Sequence, residues 1–377
     1  MAKIDDLFRL MVAENASDLH LRAGSPPVLR IHGEMVPIKY RSLADDECRA
    51  LVYEILTPAQ REEFTKSWEL DTSYYLAGTG RFRVNIFLQR VGLGAVFRVI
   101  PETVKTLDEM GLPSQLKTLI DAHKGLILVT GPTGSGKSTT LAAMIHEINM
   151  HQRSHIITIE DPIEFVHESI KAVVNQREVK SHTQSFANAL RASLREDPDI
   201  ILVGELRDLE TISLAMTAAE TGHLVFATLH TNGAAKTIDR IIDVFPHEQQ
   251  AQIRTMLSES LRGVVAQGLL KRIDVPGRVP VFEILINTPA CANLIREGKT
   301  FQLPSVMQTS SQHGMITFDA SLAEHIRLGR LTKTSAETFL GRKLTMGSGD
   351  KATLDLGHVP QTASAGFQMT GILKKRA

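Results

Sequence analysis

Ile4, Leu7, Phe8, Met11 and Val12 recur at the i, i+3, i+4, i+7, i+8 spacing, which predicts a short amphipathic helix at the start of the chain. Beyond it the pattern changes to short β-like runs. Residues 18–38 hold such runs, broken by turn signals at residues 24–27 and at His32 and Gly33. Around residues 81–100 the alternation returns, with Phe82, Val84 and Ile86 set against Arg81, Arg83 and Asn85. Residues 1–100 therefore predict a small α+β domain. Residues 101–113 contain two prolines and no strong period, and predict a linker.

From residue 114 the apolar pattern is of a different kind. GLILVTG, HIITIE, DIILVGE and HLVFATLH are short, nearly continuous apolar runs separated by helix-length segments. Strands buried on both faces of a parallel sheet look like this, so residues 114–345 predict an α/β domain. Phe186, Leu190 and Leu194 share one face of an intervening helix, and Asp208 or Thr211 is placed to cap the next. A long helix over residues 248–270 and the late run VPVFEILI close the domain. Residues 346–377 turn Gly-, Ser- and Thr-rich without periodicity, which predicts a disordered tail.

Composition narrows the function classes. Lys+Arg and Asp+Glu are both 42, whereas a protein that neutralises many phosphates carries a basic excess. Aromatics at 5% also leave little for base stacking, so no nucleic acid is expected as a partner. The two cysteines, Cys48 and Cys291, are too few and too distant for a disulfide framework or a thiolate zinc site. The opening segment carries early acids, unlike a signal peptide, and no apolar run approaches the roughly 18 residues that span a bilayer. These features predict a cytoplasmic protein that reaches a membrane only through a partner.

The clearest chemistry lies at residues 131–138, GPTGSGKS, which match G-x-x-x-x-G-K-[ST] between an apolar strand and the helix pattern of Leu141, Met144, Ile145 and Ile148. Gly131, Gly134 and Gly136 let the backbone wrap closely, so that its N–H groups can cradle phosphate, and Pro132, Thr133, Ser135 and Thr139 belong to the same binding stretch. Lys137 is placed for the β- and γ-phosphates of ATP, and the Ser138 hydroxyl for Mg2+. Two acidic clusters stand at strand ends, ITIEDPIEF with Glu160, Asp161 and Glu164, and IILVGELRD with Glu205. A lone strand-end acid is more simply a cap or a surface ion pair. Two clusters in one such domain favour catalysis, with Glu205 for the metal and Glu164 for the attacking water. His230 ends a strand beside Thr228, Thr231 and Asn232, where an imidazole can hydrogen-bond a γ-phosphate or its water. His223 begins the same strand. Arg81 with Arg83, and Arg191 with Arg195, are spaced as possible transition-state donors, although a solvated polar face is the plainer reading of either pair.

Taken together, GPTGSGKST, TIEDPIEF, IILVGELRD and TGHLVFATLHTN resemble the Walker A, Asp, atypical Walker B and His boxes of the secretion ATPases. With the N-terminal ASDLHLRAGSPPVLRIHGEM, the resemblance extends to about residue 345. It implies a PAS-like N-terminal domain, a RecA-like ATPase domain and a homohexameric ring binding ATP and Mg2+. By position in these boxes, Glu164 matches the catalytic base, Glu205 the Walker B acid, and His223 and His230 the His-box pair. Arg81, Arg83 and Arg195 match arginines that reach ATP at domain or subunit boundaries. The chain lacks the four-cysteine loop and added N-terminal region of extension motors, and ACANLIREGK is similar to an element of type IV pilus retraction ATPases. In that element Cys291 and Ala292 replace the usual Ile-Arg. Membership of the retraction branch implies pilin depolymerisation and twitching motility, an inner-membrane platform protein as partner, and a paralogous pilus ATPase as a possible second one. The rivals are an assembly or secretion ATPase and, in another class, a RecA-like nucleic-acid translocase.

Overall fold

The structure, a computed structural model, describes residues 3–31, 33–100 and 103–344; the expected tail 346–377 lies outside them. The chain is α/β. Its N-terminal part holds helices α1 (Asp5–Ala13), α2 (Asp45–Tyr53) and α3 (Pro58–Ser67). Its strands are β1 (Asp18–Arg22), β2 (Val28–Ile31), β3 (Glu34–Pro37), β4 (Glu69–Leu76), β5 (Gly80–Gln89) and β6 (Gly92–Ile100). They form one antiparallel sheet in the order β3-β2-β1-β6-β5-β4. Helix α1 buries Phe8 and Met11 onto this sheet, where the Phe8 ring stacks 4.4 Å from Phe82. Each such side chain contributes about 1.5–3 kcal/mol when fully buried. Val12, expected on the buried stripe, is instead 38% exposed.

Leu107 and Leu112, within the expected linker, are buried with Leu116, Leu119 and Ile120 of α4 (Gln115–Ile120) against the second sheet. That stretch carries no periodic signal because only isolated leucines anchor it. The second sheet contains β7 (Gly125–Thr130), β8 (His155–Glu160), β9 (Val173–Glu178), β10 (Ile200–Val203), β11 (Leu224–Leu229), β12 (Leu261–Lys271) and β13 (Arg278–Ile286). Its order is β13-β12-β7-β11-β10-β8-β9, parallel except for the β12–β13 pair. Helices α5 (Lys137–His151), α6 (Phe186–Ser193), α7 (Leu209–Glu220), α8 (Ala234–Asp243) and α9 (His247–Ser260) pack around it, followed by α10 (Pro289–Arg296), α11 (Leu303–Thr309), α12 (Phe318–Arg327) and α13 (Lys333–Leu340). Asp208 caps α7 by accepting from the Thr211 amide. Among the described residues, no helix is long and apolar enough to cross a membrane.

The helix expected over residues 248–270 is corrected. Helix α9 stops at Ser260, and the next eleven residues are strand β12. Apolar residues in this run suit either period, but Gly263 and Gly268 mark close packing. A Cβ at Gly263 would meet the Leu285 carbonyl at 2.8 Å, and one at Gly268 the Phe339 ring at 2.4 Å. Burial on both faces removes the polar alternation that would have marked a strand.

Candidate nucleotide site

Parallel pairing places the C-terminal ends of β7, β8, β10 and β11 on one edge of the sheet, where open α/β sheets bind ligands. The loop 131–136 leaves β7 at this edge and enters α5. Gly131, Gly134 and Gly136 all have positive φ. At Gly131 a Cβ would stand 2.2 Å from the Gln267 carbonyl oxygen, so a side chain there would displace the loop. Pro132, Thr133 and Gly134 are exposed. The amides of Thr133, Gly134 and Gly136 make no backbone hydrogen bond among the described residues, whereas the Ser135 amide donates to Pro132 O. Free amides facing a helix N-terminus are a general anion site. Ser135 Oγ is buried without a partner among the described residues.

Lys137 is buried and its Nζ donates to Gly131 O (2.8 Å) and Pro132 O (3.2 Å). Desolvation lowers its pKa, against the nearby charges of Glu205 and Glu164, which raise it. A cation held by carbonyl oxygens in a desolvated place is suited to an incoming anion. The same Nζ lies 3.5 Å from His230 Nδ1, and His230 Nε2 lies 3.3 Å from Glu205 Oε1. The other Glu205 oxygen accepts from Arg207 Nε at 2.8 Å. Lysine, histidine, strand-end acid and arginine thus form one chain beside the loop. Glu205, Arg207, His230, Thr231 and Arg240 line a cleft of about 310 Å³ at this point. Ser138 is half-buried and Thr139 exposed, and neither hydroxyl has a hydrogen bond among the described residues.

Glu164 is exposed, and its charge acts on Lys137. Its neighbour Glu160 is different. Glu160 Oε1 accepts from Thr158 Oγ1 (2.6 Å) and Gln176 Nε2 (3.2 Å), yet burial pushes its carboxyl up to about 7. The unfolded chain ionises this group near 4.5, so folding takes up a proton between about pH 4.5 and 7. Stability contributed by this residue therefore falls as pH rises through that window and is level above it. Glu160→Gln should raise Tm by a few degrees at pH 8 and hardly at pH 5; equal shifts in melts at both pH values would contradict this.

The remaining expected residues separate. Arg81 pairs with Glu178 at 3.2 Å and Arg83 with Asp71 at 3.2 Å, both from β5. Arg195 is not on α6 but one residue past its C-cap, exposed, and at the opposite sheet edge, before β10 begins. His223 and His230 flank β11 at its opposite ends. His223 precedes β11 and its Nδ1 lies 3.0 Å from Ala218 O, a strand length away from His230. Sequence reasoning missed Gln267, which is buried in β12, donates from Nε2 to Ser135 O and accepts from Thr140 Oγ1, both at 2.8 Å. A lone polar residue inside VVAQGLL is the available signal, and a helical period over that run hides it. In α10, Cys291 and Ile295 face the core while Asn293 and Arg296 are exposed.

A strand, a glycine loop around a buried lysine, a helix, and acids at neighbouring strand ends define an α/β protein whose candidate site lies at one edge of its parallel sheet. The family described as "Type II/IV secretion system protein" matches residues 2–300, and the chain belongs to it. It is 54% identical over 333 residues to the type IV pilus retraction ATPase PilT of Pseudomonas aeruginosa, covering 88% of this chain and 96% of that protein. It is 42% identical over 334 residues to the type IV pilus ATPase PilU of the same organism, covering 89% and 87%. The crystal structure of the pilus retraction motor PilT with bound ADP superposes with a TM-score of 0.84 at 46% identity, covering 90% of this chain and 97% of that one.

Proposed function

We propose that the chain is the ATP-hydrolysing subunit of a homohexameric motor that drives type IV pilus retraction. In this reading residues 1–100 are a PAS-like domain and residues 114–345 a RecA-like ATPase domain, with ATP bound against the 131–139 loop. The observation that carries it is the set of free loop amides and buried Lys137 standing beside Glu205 and His230. Ser138 and Glu205 would hold Mg2+, Glu205 after exchanging Arg207 or His230, and the ion would supply positive charge to neutralise phosphate. Lys137 binds and orients the phosphates, His230 donates to the γ-phosphate end, and Glu164 orients the attacking water. Arg81 and Arg83 approach from the N-terminal sheet. Arg195, at the far edge of its own sheet, suits delivery to a neighbouring subunit. His223 has no part in the cleft of its own protomer.

Closure of the N-terminal sheet on bound nucleotide, and its release after hydrolysis, would provide the mechanical stroke. The stroke acts on pilin through an inner-membrane platform protein, with the chain at the cytoplasmic face. Likeness to PilU supports a second reading, a paralogous pilus ATPase working beside a principal motor. Deleting the gene and imaging pili separates the alternatives: hyperpiliated, non-retracting cells are expected, whereas bald cells would mean assembly. Full retraction after deletion would leave only the paralogue.

A further inference from the structure

Glu178 belongs to none of the motifs read from the sequence, yet it stands where the two sheets meet. It ends β9, and its side chain is 5% exposed. Its Oε2 accepts from Arg81 Nη2 at 3.2 Å and from the Ile163 amide at 3.1 Å, while its Oε1 accepts from Ser181 Oγ at 2.9 Å. Arg81 belongs to β5 of the N-terminal sheet and donates also to Ser73 Oγ at 2.8 Å. The Arg81 Nε is buried and has no partner among the described residues. Ile163 immediately precedes Glu164. A single carboxylate oxygen therefore joins a guanidinium from one sheet to the turn that bears the water-orienting candidate of the other.

We propose that Glu178 is a positioning residue that transmits the place of the N-terminal sheet to Glu164. A buried carboxylate cannot lose its cation without a large penalty, so a shift of Arg81 draws Glu178 with it or leaves Glu178 to rearrange. Either way the Ile163 amide loses its fixed acceptor, and the turn carrying Glu164 is re-aimed. Arg81 is also a candidate for reaching nucleotide phosphate. Its transfer from Glu178 to the phosphate would make cleft closure and the aiming of Glu164 one event. Small displacements of a catalytic group are enough for such control. The inference rests on reading Glu164 as the group that orients water.

Glu178→Gln in the full chain keeps the shape and an acceptor for Ile163 but removes the charge that holds Arg81. Its kcat for ATP should fall about tenfold, with the ADP dissociation constant within about threefold of wild type. Hydrogen exchange supplies a readout independent of catalysis. In Arg81→Ala, exchange at the Ile163 amide should accelerate about tenfold while β7 exchanges as before. Unchanged exchange at Ile163 overturns the proposal, as does a Glu178→Gln protein with wild-type turnover. A Glu178→Gln protein that loses Tm, ADP affinity and kcat together would show a merely structural role and also overturns it. If that variant does not fold, the Arg81→Ala exchange result alone decides. A Glu164→Gln protein that still turns over would remove the water-orienting reading without touching the exchange result. An inactive Glu164→Gln with unchanged exchange removes only the link through Glu178.

Discussion

Glu164→Gln should abolish ATP turnover, lowering kcat at least about 100-fold, while leaving ADP affinity within about twofold of wild type. The separation follows from where Glu164 sits. Its carboxylate is exposed, makes no hydrogen bond among the described residues, and belongs to a turn after β8, apart from the 131–136 loop. Replacing it with an amide of the same shape removes a proton acceptor and a negative charge, but no phosphate contact. A small gain in affinity is even expected, because its charge lies near enough to Lys137 to act on the site. Steady-state hydrolysis and calorimetric ADP titration measure both quantities. Wild-type turnover in the variant would remove Glu164 from the mechanism, and loss of ADP binding would make it a binding residue.

Lys137→Ala should do the reverse, weakening ADP and ATP binding by about 100-fold or more. Lys137 is buried, its ammonium is desolvated, and its Nζ is held by the carbonyls of Gly131 and Pro132 and by His230 Nδ1 at 3.5 Å. Such a cation adds little to the empty fold, since burial disfavours its charge. The melting temperature without nucleotide should therefore stay within a few degrees of wild type, while the rise in Tm on adding ADP disappears. A full ADP-dependent rise in the variant would mean that phosphate binds elsewhere. A collapse of the empty protein would mean that Lys137 mainly holds the loop.

Much of this was present in the order of residues, for reasons tied to range. The 131–138 motif, the strands β7, β8, β10 and β11, and the capping Asp208 are local features. Their apolar runs, glycines and caps act within a few neighbours, so pattern alone locates them. Glu205 and His230 were legible because His230 follows β11 directly and Glu205 follows β10 after Gly204, and parallel pairing brings such ends to one edge.

Tertiary structure decided what depends on contacts between distant segments. Nothing local says that residues 261–271 are a strand rather than more of α9, because double burial erases the alternation that distinguishes the two. With that strand came Gln267, brought beside Ser135 from 132 residues away. Only the packed chain shows Glu178 holding Arg81 from 97 residues away. Chemistry of a site follows from residue types at short spacing; which side chains share it is set by burial and hydrogen bonding between elements whose distance in the chain carries no signal.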